Sequence, residues 1–299
     1  MIILNLNYIN YGNNLISQVN NSEYNHQIYK IGDRIFNFEY SYVMGILNVT
    51  PDSFSDGGEY LDKSKAVIHG IQMIEEGADI LDIGGESTRP NAEPVCKDEE
   101  INRIVPVIKE ILAKKKDAII SVDTTKSVVA DEALKSGAKI INDISGLMYD
   151  SKILDVIKKH DASVIIMHIK GNPKTMQNNP EYDNIIEEIY DFLLRQSSIA
   201  SKAGIKNIFV DPGIGFGKTV EHNFEIIKRL DDFKSLGFPM VFGASRKSFI
   251  GKTLELDPTE RDTASAIVNA IAIKNGAKII RTHNVKFGVQ TTKLMNKIY

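Results

Sequence analysis

One pattern limits this chain more than any other: a short apolar run, a polar or glycine-rich break and a longer segment with helical spacing recur about eight times from Val43 onward. The runs are VMGILNV from Val43, ADILDIGG from Ala78, AIISVDT from Ala118, AKIINDISG from Ala138, ASVIIMH from Ala162, NIFVDPG from Asn207, PMVFGAS from Pro239 and AKIIRTH from Ala277. Helical spacing follows in segments such as Lys63 to Glu76, Asp98 to Lys115, Ser127 to Ser136, Asn184 to Ala203, Val220 to Leu230 and Thr263 to Asn275. Such alternation marks βα units. Runs that stay apolar without alternating are strands buried on both faces, as in a parallel sheet. Eight of them predict a closed (β/α)8 barrel, a fold that commonly takes about 250 residues, here over residues 41–299. Residues 1–40 are expected to be an extension and a hairpin. Tyr29 and Ile31 precede Gly32-Asp33, and Phe36, Phe38 and Tyr40 then alternate with polar residues, a hairpin suited to capping one end of the barrel.

Composition narrows the partners. A net charge of -3 supplies no basic field for nucleic acid. Cys96 is the single cysteine, so no internal disulfide and no cysteine-based zinc site can form, which suits a reducing cytoplasm. No run approaches the roughly 20 apolar residues of a membrane span, and MIILNLNYIN lacks the basic region and cleavage site of a signal peptide. The expectation is a cytoplasmic protein with small-molecule substrates, no nucleic acid and no membrane.

Barrels of this class place their sites at the C-terminal strand ends. Those ends carry Asn48, Glu86 with Thr88 and Arg89, Asp123, Asn142 with Asp143, His168, Asp211, Ser245 with Arg246 and Lys247, and Arg281 with His283. Tyr42 to Gly58 illustrates the pattern: apolar Val43, Met44, Ile46 and Leu47 break at Asn48 into a polar loop ending in Gly57-Gly58. Arg246, Lys247, Arg281 and His283 arrive late in the chain, where barrels often hold a phosphate, and predict an anionic, phosphate-like group. Asp123, Asn142 and Asp211 offer acceptors and donors suited to the amide-like edge of a heterocycle. Taken singly, each Asp could equally be a helix cap or turn former. Gly217-Lys218-Thr219 copies the tail of a phosphate-binding loop, but Pro212 stands where the first glycine is required, so these glycines are read as a tight turn after a strand. His168 and His222 lack partners at metal spacing and are read as structural or peripheral.

The segments MGILNVTPDSFSDGG, DIGGESTRP, SVDTTKS, INDISG, DPGIGFGKT, SRKSFIG and RTHNV follow one another between Met44 and about Val285. In that order they resemble the dihydropteroate synthases, transferases of folate biosynthesis. The resemblance implies a (β/α)8 barrel, usually a homodimer, that joins p-aminobenzoate to 6-hydroxymethyl-7,8-dihydropterin diphosphate and releases pyrophosphate. It implies pterin binding by Asp123, Asn142, Asp211 and Lys247. It places the diphosphate with Arg281, the backbone around Thr282, His283 and Thr88, and a Mg²⁺ ion on Asn48. Phe54, Pro90, Phe216 and Ser248 match the p-aminobenzoate pocket, which implies competition by sulfonamides. Asp56 matches a family residue that steadies a pterin cation or accepts the amine proton. The implied route is dissociative, with pyrophosphate leaving before the amine attacks. Two features depart from the family: Asn91 stands where Gly is common, and the N-terminal stretch is longer than a short hairpin. Two alternatives share the pterin contacts, a folate-dependent methyltransferase and a catalytically silent binder. The first has no diphosphate to hold, and the second would be expected to lack Asn48, Lys247, Arg281 or His283.

Overall fold

The computed structural model describes residues 28–50, 58–87 and 93–299, with the backbone alone for 58–62. Its frame is eight parallel strands: β3 (Tyr42–Asn48), β4 (Ile80–Gly84), β5 (Ile120–Asp123), β6 (Ile140–Asp143), β7 (Ser163–Met167), β8 (Ile208–Asp211), β9 (Met240–Phe242) and β10 (Ala277–Thr282). Each pairs with the next, and β10 returns to β3, closing the barrel. Closure leaves the eight barrel strands without an edge strand. All eight apolar runs of the sequence are strands.

The surrounding helices are α1 (Gly58–Glu75), α2 (Lys97–Lys114), α3 (Ser127–Lys135), α4 (Ile153–Lys159), α5 (Ile185–Lys202), α6 (Val220–Lys228), α7 (Ser248–Leu254), α8 (Asp262–Lys274) and α9 (Val285–Ile298). The apolar faces of these helices and the outward side chains of the strands form one continuous core, including Val43, Leu47, Leu81, Ile83, Ile104, Val107, Ile108, Val129 and Leu193. Helix starts are fixed locally. Thr219 caps α6 by accepting from the His222 amide while the His222 ring accepts from the Thr219 amide, and the Asn184 and Asn284 side chains cap α5 and α9.

Ahead of the barrel, β1 (Ile28–Ile31) and β2 (Arg34–Asn37) pair antiparallel. Tyr29, Ile31, Phe36 and Phe38 pack against Met44, Ile80, Ile119, Ile140, Ile165, Phe209, Val241 and Ile279, one inward residue from each strand region. Four aromatic rings meet edge-on here, Tyr29 and Phe38 against each other and each against Phe209, with Phe38 also on Tyr42. The Tyr29 hydroxyl donates to the Ile208 carbonyl at 3.0 Å, and Asn207 Nδ2 donates to the Lys30 carbonyl at 2.9 Å. The hairpin thus stoppers the N-terminal end of the barrel.

That apolar layer sets the register above it. Successive inward side chains along a strand are two residues apart, so two positions beyond the floor layer the interior receives Ile46, Asp82, Ser121, Asn142, Met167, Asp211, Gly243 and Arg281. One end of the barrel is greasy and closed; the other is polar.

Candidate active site

The polar layer is organised by Arg281. Its Nε donates to Asp82 Oδ2 at 2.6 Å and its Nη2 to Asp123 Oδ2 at 2.9 Å. Asn142 Nδ2 donates to the same Asp82 oxygen at 3.0 Å. Residues from β4, β5, β6 and β10, up to 199 positions apart, therefore share one network. Burial raises Asp123 above the ordinary carboxylate range; Arg281 pulls it back, while Asp82, Glu100 and Asp143 push it further up. Burial likewise raises Asp211 to about 6, with the Gly213 amide, Arg281, Lys247 and Lys218 opposing.

After β8 the chain turns through Gly213, Gly215 and Gly217, all at positive φ. At Gly213 a Cβ would lie 1.9 Å from the His168 carbonyl oxygen, so only glycine lets the turn come this close. The Gly213 amide donates to Asp211 Oδ1 at 2.7 Å, holding one carboxylate oxygen and leaving the other for the mouth. The tight-turn reading holds, and the lysine of the false phosphate-loop tail is sealed in. Lys218 Nζ donates to the Phe216 carbonyl and to His168 Nδ1, each at 3.0 Å. Burial lowers Lys218 to about 7, with Asp211 opposing. His168 is buried beside it and its proton affinity falls far below the ordinary range, so this ring is a neutral acceptor, the structural role expected.

Lys247 comes from the loop after β9. Its ammonium stands 3.9 Å from the Phe216 ring centroid, and burial with Arg281 nearby lowers it to about 8, against the pull of Asp211 and Asp123. Phe216 is buried with Ile144, Met167 and Met176 rather than standing at the rim. Ser248 is the exposed first residue of α7. His283 and Ser245 join the last two strand loops: the Ser245 hydroxyl accepts from the His283 amide at 3.1 Å and lies 3.0 Å from His283 Nδ1. In the tautomer whose Nδ1 accepts the Ser245 hydroxyl proton, Nε2 carries the ring proton and is a donor. Burial and the neighbouring Arg281, Arg246 and Lys247 push His283 down to about 3, so the ring is neutral. The Thr282 methyl packs near Gly288 of α9, while its hydroxyl lies 3.5 Å from Ser245 Oγ and 3.4 Å from the Asn284 carbonyl oxygen.

Two residues depart from the sequence grouping. Arg246, grouped there with the anion-binding cations, holds Asp262 with both arms at 2.8 and 2.9 Å, and Asp262 also accepts from Asn284 Nδ2 at 2.9 Å. Its charge is spent on bracing the two loops. Asp82 was not singled out among the strand ends because it sits in the middle of an apolar run. The signal was present all the same, since counting by two from Ile80 puts a carboxylate inside the barrel, and a fully buried Asp is rare enough to mark.

Asn48 ends β3, opposite Gly84, half-buried, with no hydrogen bond to its side chain among the described residues. Lys126 joins Glu86 to the fully buried Glu100. No group of three or more His, Cys, Asp or Glu that could hold a metal occurs among the described residues. Phe54, Asp56, Thr88 and Pro90, with Asn91, lie outside the described residues. Among the described residues no helix is long and apolar enough to cross a membrane.

A closed parallel barrel whose polar end gathers charged side chains from several strands defines a barrel enzyme that acts on small molecules. Residues 44–283 match the family described as pterin binding enzyme. The chain is 45% identical to the dihydropteroate synthase of Synechocystis sp. over 90% of its own length and 94% of the relative's. It is similar to the Yersinia pestis dihydropteroate synthase solved with a sulfonamide drug complex, at TM-score 0.85 and 39% identity, covering 91% of this chain and 99% of that one. A third likeness is to the Xanthomonas albilineans dihydropteroate synthase solved with 4-aminobenzoic acid, at TM-score 0.85 and 37% identity over 92% and 98%. The chain belongs to the dihydropteroate synthase family of pterin-binding enzymes.

Proposed function

We propose that the chain is a dihydropteroate synthase: it joins p-aminobenzoate to 6-hydroxymethyl-7,8-dihydropterin diphosphate, giving 7,8-dihydropteroate and pyrophosphate. The observation that carries this reading is the convergence of Asn142, Asp211 and Arg281 on one inward layer, with Asp123, which Arg281 holds, and Lys247 above it. The free Asp211 oxygen, ionised at neutral pH, suits the N–H edge of the pterin, and Asn142 and Asp123 suit its remaining polar atoms. Phe216, with the Lys247 ammonium over its ring, and the exposed Ser248 that follows Lys247 in the chain are proposed to hold the p-aminobenzoate ring.

In the dissociative route the methylene carbon–oxygen bond breaks and its electron pair leaves with pyrophosphate. The amine nitrogen then bonds to that carbon and loses its proton. Arg281 and the His283 Nε2–H would bind the charge growing on the leaving group, and Asp56 and Thr88 are proposed to act with them. Asn48 offers a single neutral oxygen, which fits Mg²⁺, an ion that is commonly bound through few protein ligands together with substrate phosphates and water. When bound, Mg²⁺ would neutralise diphosphate charge there. The chain is further proposed to be cytoplasmic, consistent with one exposed free cysteine. It is proposed to be a homodimer through α8 and α9, where Ile267, Ile271, Leu294 and Ile298 are exposed at helical spacing.

The test is pyrophosphate release by purified protein with both substrates, with and without Mg²⁺. Mg²⁺-dependent release with dihydropteroate as product, lost in Lys247→Ala and Arg281→Ala, is expected. Tight pterin binding without release would overturn the synthase reading in favour of a silent binder.

A further inference from the structure

Asp82 has no part in the chemistry above, yet the fold tolerates a fully buried carboxylate in the middle of β4. Such a group is costly unless it is paired. We propose that Asp82 is a positioning residue: it fixes the Arg281 guanidinium for the diphosphate and ties it to the pterin-facing amide of Asn142. This inference rests on the synthase reading.

The geometry is one-sided. Asp82 Oδ2 takes both the Arg281 Nε proton and the Asn142 amide, whereas Oδ1 is buried with no hydrogen-bond partner among the described residues. The whole pairing duty of the carboxylate falls on one oxygen, and Arg281 is the cation in contact with it. β4 and β10 flank β3, with Arg281 in register with Met44 and Asp82 with Ile46, so the pair reaches across one strand inside the barrel. A guanidinium held by Nε has its plane fixed, and its two outer nitrogens form the fork that suits phosphate oxygens. Of those two, only Nη2 has a partner among the described residues, and that partner is Asp123. Asp123 is shared with the pterin, so this second hold is the one a ligand can loosen. Asp82 is then what keeps Arg281 from following or swinging free, and through Asn142 the same oxygen senses the pterin side. Binding of the ring and orientation of the leaving-group cation share one atom.

The experiment compares the affinity of wild type, Asp82→Asn, Arg281→Ala and the double variant for hydroxymethyl-dihydropterin with and without its diphosphate, alongside steady-state kinetics. Asp82→Asn keeps the shape and removes the charge. It is expected to cut the preference for the diphosphate form about tenfold or more, and kcat about 100-fold, while KM for p-aminobenzoate stays within about threefold. The double variant is expected to be no worse than Arg281→Ala within about twofold, because Asp82 acts through Arg281. A merely structural role would lower thermal stability without touching the diphosphate preference. An Asp82→Asn protein with wild-type preference, or a double variant showing the product of the two single losses, overturns the proposal. If Asp82→Asn does not fold, the double variant, which removes both charges, still gives the comparison with Arg281→Ala. A wild type that turns over nothing sinks the synthase reading, whereas an active wild type with an unaffected Asp82→Asn sinks this inference alone.

Discussion

Asp211 and Lys247 carry opposite charges whose proton affinities burial has pushed toward each other, one up to about 6 and the other down to about 8. Both are charged only in the interval between. Below it Asp211 takes a proton and can no longer accept freely from a pterin N–H; above it Lys247 loses its donor charge. Pterin affinity measured calorimetrically from about pH 5 to about pH 9 is therefore expected to peak between those values, and Lys247→Met should remove the alkaline limb that Lys247 supplies while moving the acid limb upward, because Lys247 helps hold Asp211 down. A flat profile would contradict the assignment of both residues. His283, already neutral at about 3, should add no limb near neutral pH. Much of this residue-scale picture was legible in the sequence, because Asp123, Asn142, Asp211 and Arg281 each sit where an apolar run breaks. Asp82 was hidden by the opposite circumstance, apolar neighbours on both sides. Arg246 was misgrouped because its partner Asp262 lies sixteen residues on, across a loop whose path spacing does not reveal.

At the scale of elements, the stoppering hairpin is expected to matter far more to stability than two strands of four residues suggest. Phe36 is fully buried among rings, and Phe36→Ala should cost about 3–5 kcal/mol in urea unfolding, whereas the exposed Ile35→Ala should cost within about 0.5 kcal/mol. Equal effects would show that the hairpin does not seal the barrel. The turn after β8 makes a second claim: Gly213→Ala, strained by its φ of 71° and by the His168 carbonyl, should lose pterin binding together with stability. Calorimetry and thermal melts on the one variant check it, and retained wild-type affinity would sink it. The eight strands were readable because doubly buried strands announce themselves as apolar runs. The short α4 and α7, seven residues each, give a periodic signal too brief to stand out.

At the scale of the molecule, the apolar stripe on α8 and α9 carries the dimer expectation. Ile267→Asp should convert a dimer to a monomer in analytical ultracentrifugation while leaving the barrel folded; an unchanged dimer would place the interface elsewhere. Closure has a further consequence for how such a chain comes into being. The stopper is synthesised before any of the eight strands, but its seat is a ring that does not exist until β10 joins β3. That seam is fastened by the Asn296 side chain, which binds the Ser41 backbone through both its oxygen and its nitrogen. A growing chain thus carries a greasy aromatic hairpin with nowhere to put it until all eight strands have been made. Hairpin and seam must wait for each other, and α9, made after the eighth strand, is the helix that lets the hairpin hide from water.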